Sequence, residues 1–358
     1  MAGRKEIRPL TGFRGVAALA VATYHFMLSM TGNPPFVLSG GYLAVDAFFV
    51  LSGYVLAYNY AGVFGGSNDR AAYLDFLFKR FARLYPAYIV LTLLYALKLA
   101  LKPDGLDGFT SWDAICNLLM LTGWGLHATP VVGLSWSVSA ELFCYAAFPL
   151  ILLLARERPL PAFLSVALMA LVIMVISRVG GGIEGPLDVV SDVNLFPLLR
   201  ALAGFSLGVI LCGVASRMKV LPEQTVNLFM LLSAAALVAA AVFDRSDLIT
   251  YAAVVCMVFW VAQDSDLSNV LFGNRPIYRL GEISYSFYLI HPFIISVLAR
   301  AIGKLQALAG NPGGLAITFA LYIGSAILLS ELSYRFLEMR GKAALMRLRH
   351  SGFRVARQ

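Results

Sequence analysis

The chain has 358 residues, 59% of them hydrophobic and only 13% charged, with a mean hydropathy of +0.78. Soluble domains run at about 45–50% apolar and about 25% charged, so these values exclude an ordinary soluble domain and mark an integral membrane protein. The net charge of +8 could suit a nucleic-acid binder, but the basic residues cluster in short loops and after Tyr334, which argues against a nucleic-acid partner and follows the positive-inside rule.

In chain order, the first apolar stretch runs from about 10 to 31 and contains Arg14 and His25. An ionisable group at membrane depth is costly unless paired or hydrated, so it marks a functional site by default. Eleven residues at about 100° each end about 20° past three full turns. At about 1.5 Å per residue, the two side chains stand about 16 Å apart on one helix face. Basic residues precede the stretch (Arg4, Lys5, Arg8), as in a signal peptide. Arg14 and His25 interrupt it, however, and no clean small-residue cleavage site is present, so it is expected to remain as a spanning helix.

Nine further segments have the length and apolarity to span: 41–62, 82–101, 133–155, 160–178, 195–215, 224–243, 247–263, 281–302 and 314–335. The expected fold is an all-α integral membrane protein with about ten transmembrane helices in one bundle. The stretch 112–124 is too short and too interrupted to cross and is expected to be interfacial or re-entrant. Residues 1–340 read as the membrane domain and 341–358 as a basic cytoplasmic tail. With the N-terminus inside, 20 of the 28 Lys and Arg residues fall in cytoplasmic segments and five in outer loops. That asymmetry predicts both termini in the cytoplasm. Cys116, Cys144, Cys212 and Cys256 match no metal or redox spacing and read as core fillers.

Span 41–62 places Asp46 among apolar residues, with Ser52 and Gly53 interrupting the helical pattern a turn and a half later. Asp46 is either a solvated cap at the outer helix start or the partner of a buried cation or a catalytic histidine. Arg80 and Arg83 share a helix face just before span 82–101. They are either a positive-inside anchor or a clamp for a polyanion, since guanidinium forks hold phosphates well. In span 133–155, Glu141 lies about two turns inside the membrane, where a lone carboxylate is costly. Ser137 precedes it by one turn, and Trp136 falls where an interfacial aromatic belt is expected. Span 281–302 carries Tyr285, Tyr288 and His291. Tyr288 and His291 share a face, and Pro292 frees backbone carbonyls nearby. Glu331 is intramembrane, while Glu338 sits in a basic stretch and reads as a solvated ion pair.

Buried charges on several spans must find partners and tend to converge in one cavity. A histidine at mid-depth suits proton abstraction from a hydroxyl, and a cytoplasmic arginine pair suits a phosphate-bearing donor. A transporter of glycan intermediates or acyl metabolites is the rival reading, because intramembrane charges also mark proton relays. No repeat relates the two halves, which favours an enzyme. A scaffold subunit of an export complex is disfavoured by the buried ionisable groups.

The same residues lie in ordered motifs that resemble the acyltransferase type 3 family, multi-pass membrane acyltransferases that modify bacterial cell-surface glycans. The motifs are the Arg14–His25 pair, DAFFVLSGYV (46–55), the Arg80–Arg83 pair, SWSVSAELFCY (135–145), LGEISYSFYLIHP (280–292) and a closing YRFLE (334–338). Leu142 stands where the family carries a second acid, and Met339-Arg340 follow Glu338 where the family continues to a proline. The resemblance implies an O-acyltransferase of the bacterial inner membrane. It would take an acyl group, commonly acetyl, from acyl-CoA at the cytoplasmic side and pass it to a sugar hydroxyl of a lipid-linked or exported glycan. Partners would then be acyl-CoA, a glycan acceptor and membrane lipids, with no bound cofactor, no metal and no fused esterase-like domain. Catalysis would rest on His25, as general base or acyl carrier, with Arg14, and with Asp46 or Glu141 orienting the imidazole. Arg80 and Arg83, helped by Arg14, would hold the donor. Ser52, Trp136, Ser139, Tyr145, Tyr285, Tyr288 and His291 would support the acceptor or the site.

Overall fold

The computed structural model describes residues 5–32, 40–64, 70–103, 105–164, 193–244, 247–309 and 311–355, with a few positions between 166 and 187. The elements are helical, in the order α1 (Arg8–Thr31), α2 (Ala44–Phe64, entered through a 3-10 turn at Gly41–Leu43), α3 (Arg70–Ala100), α4 (Ser111–Leu118) and α5 (Ser135–Glu157). There follow α6 (Phe196–Ala215), α7 (Glu223–Ala239), α8 (Asp247–Val261), α9 (Asp266–Phe272), α10 (Arg275–Glu282), α11 (Ser284–Ala309), α12 (Asn311–Ser333) and α13 (Arg340–Val355). Among the described residues seven helices are long and apolar enough to cross a membrane, or nine if each of two bent pairs counts as one span. The protein is an all-α membrane protein. Most of the expected span 160–178 lies outside the described residues. Large apolar side chains such as Leu93, Leu97, Leu150, Leu153, Leu228 and Leu232 are exposed on the outer faces, as lipid contact requires.

Lipid tails are as apolar as leucine, so helices in a membrane associate through close packing and polar contacts rather than through expulsion of water. The α2–α6 crossing shows this. Gly204 and Gly208, four residues apart on α6, face α2, and Gly53 of α2 faces α6. A Cβ on Gly53 would stand 1.9 Å from the Phe205 carbonyl oxygen, and one on Gly208 would stand 2.0 Å from that of Val50. Gly53 is therefore a packing residue, and α2 runs through Ser52 without the expected interruption. A second small-residue contact joins α1 to α10, where a Cβ on Gly281 would lie 1.8 Å from the Thr11 carbonyl oxygen.

Helix α3 begins at Arg70, twelve residues before the predicted span. Its 31 residues reach about 46 Å at 1.5 Å each, against a hydrocarbon core of about 30 Å. The polar first half thus projects beyond the core with Arg80 and Arg83 near the boundary. This basic end of the bundle also holds Arg8 and Arg279.

The stretch expected to be interfacial or re-entrant overlaps α4, opened by a capping box between Thr110 and Asp113. The chain then turns back onto α5. Ser139 donates to the Met120 carbonyl at 2.6 Å and accepts from Gly123 N–H at 3.3 Å. Two bends are also found. Asp247–Val261 and Asp266–Phe272 meet at 113°, and Arg275–Glu282 and Ser284–Val297 meet at 75°.

The C-terminal segment docks on α3. Arg349 pairs with Asp75 at 2.9 Å and lies 4.7 Å over the Phe78 ring. Cys116, Cys144 and Cys212 are buried, but Cys256 is exposed and is no core filler.

Candidate active site

Two cavities meet at the basic end between α1, α2, α3, α5 and the α10–α11 bend. The outer one has a volume of 390 Å³ and is walled in part by Arg80, Arg83, Lys342, Tyr278, Glu282 and Glu338. The inner one, 130 Å³, is walled by Ser52, Glu141, Tyr145, Ser284, Tyr285 and Tyr288 among others. Arg14, Arg80 and Arg83 line both, so one groove leads from a basic mouth into the bundle.

Local chemistry explains each position. The α10–α11 break leaves the Gly281 carbonyl at a helix C-terminus, and Arg14 donates to it from Nη2 at 2.8 Å and Nε at 3.3 Å. A cation there complements the negative end of the helix dipole. Arg80 donates to Tyr60 Oη at 3.1 Å with its guanidinium 5.5 Å from that ring. Ser52 and Tyr145 both donate to Glu141 Oε1, at 2.7 and 2.6 Å. Two hydroxyl donors on one carboxylate oxygen satisfy a partly buried acid without a cation. Tyr285 donates to the Leu84 carbonyl at 2.9 Å, and the Ser137 and Tyr288 hydroxyls bond at 2.8 Å.

Beyond the inner cavity stand two histidines. The Tyr288 ring lies 5.8 Å from that of His291, and His291 Nε2 is 3.2 Å from His25 Nδ1. His25 is half-buried, His291 is fully buried, and neither lines the two cavities.

Several expected contacts are replaced by others. The partner of His25 is His291, not Asp46 or Glu141. Asp46, with 0% exposure, accepts from Arg200 Nη2 at 2.7 Å and Nε at 3.0 Å, so it is no solvated cap. The reason is energetic: a buried carboxylate at this depth takes the nearest buried cation. Trp136 is buried, with the Arg200 guanidinium 5.4 Å from its ring, and not in an interfacial belt. Glu338 is buried and accepts from Ser286 at 2.5 Å, so it is no solvated ion pair. Glu331 pairs with Arg279 at 2.6 Å and with Arg335 at 2.5 Å. The groove thus unites Arg14, Arg80, Arg83, Ser52, Glu141, Tyr145, Tyr285 and Tyr288. Asp46 and Trp136 belong to the Arg200 cluster instead, and Ser139 secures the turn between α4 and α5.

Sequence reasoning missed Arg200, Lys342 and Ser284. Arg200 carried a signal, as a cation inside a span that needed an acid. Lys342 fell in the segment read as a tail. Ser284 lines the inner cavity and its buried hydroxyl has no hydrogen-bond partner among the described residues, a feature that only coordinates reveal.

Residues 8–331 match the acyltransferase domain of this family. The chain belongs to the acyltransferase type 3 family. Among relatives of this acyltransferase is the acyltransferase MdmB of Streptomyces mycarofaciens. It is 30% identical over 319 residues, covering 82% of this chain and 80% of that protein. The peptidoglycan O-acetyltransferase OatA of Listeria monocytogenes is 25% identical over 366 residues, 94% of this chain but 56% of the relative. The O-acetyltransferase OatA of Staphylococcus aureus is 25% identical over 359 residues, 92% of this chain and again 56% of the relative. The chain therefore spans little more than half the length of these two relatives. No solved structure matches it.

Proposed function

We propose that this membrane O-acyltransferase moves an acyl group, acetyl in the first instance, from acyl-CoA to a sugar hydroxyl of a cell-surface or exported glycan. The observation that carries the proposal is the groove, which runs from a basic mouth to a wall whose Tyr288 ring touches His291, the partner of His25. Arg80, Arg83, Arg14 and Lys342 hold the nucleotide phosphates of the donor, as guanidinium forks and an ammonium do. The acyl-bearing arm lies along the inner cavity. His25 removes the proton from the acceptor hydroxyl as its oxygen attacks the thioester carbonyl. The carbon–sulfur bond breaks, and the proton passes from His25 to the departing thiolate. The products are the sugar ester and free coenzyme A thiol, and no resident cofactor enters the cycle. A positioned general base contributes about 10²- to 10⁴-fold to such a step.

The excess of basic residues at the mouth supports placing it, and both termini, on the cytoplasmic face of the bacterial inner membrane. The glycan acceptor is favoured by the peptidoglycan substrate in the name of the Listeria relative. Thiol release from acetyl-CoA by the purified protein in detergent, with and without glycan acceptors, tests the reading. Acceptor-dependent release supports it. A protein that consumes no thioester under any acceptor would remove it and favour a carrier.

A further inference from the structure

The two histidines form a directional chain that sets which nitrogen of His25 is basic. His291 Nδ1 lies 3.2 Å from the Phe287 carbonyl oxygen, and its Nε2 lies 3.2 Å from His25 Nδ1. A carbonyl only accepts, so His291 Nδ1 carries a hydrogen. A second proton on this ring would put a charge at a site with 0% exposure. Among the described residues no carboxylate bonds to it, and burying an unpaired charge is costly. His291 is therefore neutral, and its Nε2 is an acceptor. His25 Nδ1 must then be the donor in the contact between the rings, which leaves the lone pair on His25 Nε2. The His25 ring also bonds the backbone of Val21, four residues earlier, the relation that His291 makes to Phe287 from Nδ1, so this carbonyl shares the same hydrogen. The rings are 5.2 Å apart and tilted by 33°, so they meet through their nitrogens and not as a parallel stack.

We propose that His291 is the positioning residue that locks His25 as the Nδ1–H tautomer and aims its Nε2 lone pair at the acceptor hydroxyl. This role rests on the acyl-transfer reading above. It is the part played elsewhere by a carboxylate behind a catalytic histidine, here filled by a neutral ring anchored on the Phe287 carbonyl. During transfer His25 Nε2 gains the hydroxyl proton while Nδ1–H stays bonded to His291. The proton returns from Nε2 to the thiolate, and His291 ends each cycle unchanged. Tyr288 closes the arrangement: its ring touches that of His291 while its hydroxyl bonds Ser137 at the cavity wall.

The protein has four histidines, His25, His127, His291 and His350, so nitrogen-15 magnetic resonance of the histidine-labelled protein is readable. The His25 signals, identified by their loss in His25→Gln, are expected to show a protonated Nδ1 and a bare Nε2. An Nε2–H form in the wild-type protein would overturn the proposal without any activity measurement. Kinetics give the second readout. His291→Phe keeps a ring but removes the acceptor, and about a 10²-fold loss of kcat is expected with donor KM within about twofold. His291→Gln returns an acceptor oxygen near the lost Nε2 and should recover about tenfold of that loss. Equal activity of the two variants, or a change confined to KM, would refute the positioning role. If the wild-type protein consumes no thioester, the acyl-transfer reading fails, while the tautomer result still stands or falls by the resonance spectrum.

Discussion

The Asp46–Arg200 pair separates a structural carboxylate from a catalytic one. Asp46→Ala removes the two carboxylate oxygens that accept from the guanidinium of Arg200, which is 2% exposed; the Tyr42 carbonyl at 3.2 Å and the face of Trp136 stay beside it. Breaking a buried pair by deleting one partner costs about 3–5 kcal/mol, because the remaining charge is uncompensated. At about 1.4 kcal/mol per tenfold, the folded population falls by about 10²- to 10⁴-fold relative to the unfolded one. Replacing both partners, as in Asp46→Leu with Arg200→Met, removes the stranded charge and should recover most of the loss. Thermal unfolding in detergent, followed by tryptophan fluorescence, measures this, with Trp136 beside the pair as reporter. If Asp46→Ala unfolds at the wild-type temperature yet transfers no acyl group, the structural assignment is wrong and Asp46 serves the chemistry.

Other outcomes follow from single contacts. Gly53→Ala forces a Cβ to within 1.9 Å of a backbone oxygen and should cost about 1–3 kcal/mol or more. Gly62→Ala, later in the same helix with nothing within 4 Å of the added atom, should be neutral or stabilise by up to about 1 kcal/mol. Unfolding temperatures decide both, and equal effects would contradict the packing argument. Arg83→Ala should raise donor KM several-fold and flatten its dependence on salt while leaving kcat within about twofold; lowered kcat with unchanged donor affinity would move Arg83 from binding to chemistry. Bonds from the Thr110 hydroxyl, the Thr110 N–H and the Thr129 N–H hold the Asp113 carboxyl below the usual carboxylate range. The folded state thus binds this proton less readily than the unfolded chain, and the stabilisation is complete above the unfolded pKa of about 3.9. It is lost as pH falls through the lower folded value. The gap in unfolding temperature between wild type and Asp113→Asn should therefore be full near neutral pH and shrink below about pH 4; a gap that widens with acid would refute the assignment.

Much of this arrangement is legible in the sequence, because membrane depth makes each ionisable residue conspicuous. Arg14 and His25 share a face of α1, and Arg14, Arg80, Arg83 and Glu141 do line one groove. That 112–124 is too short and too interrupted to cross is legible as well, and α4, which overlaps it, has only 8 residues. What escapes is pairing over distance. Asp46 and Arg200 are 154 residues apart, and hydropathy shows that each needs a partner without saying which. The start of α3 was hidden because Arg70, Asp75 and Lys79 lower the local hydropathy while helical geometry continues through them. The bend after Glu282 was also hidden, since LGEISYSFYLIHP reads as one apolar run. Only the bend explains why Arg14 meets the Gly281 carbonyl. Gly204 and Gly208 carried a readable small-residue spacing, which the long apolar run around them masked.

His25 as the base that serves a coenzyme A thioester is tested most directly by single-turnover transfer. Labelled acetyl-CoA and a glycan acceptor are mixed with equal amounts of folded wild type and His25→Ala, and label in the acceptor is counted. The wild type is expected to transfer label, and His25→Ala about 10²-fold less or lower still. Equal transfer by both proteins would contradict the account.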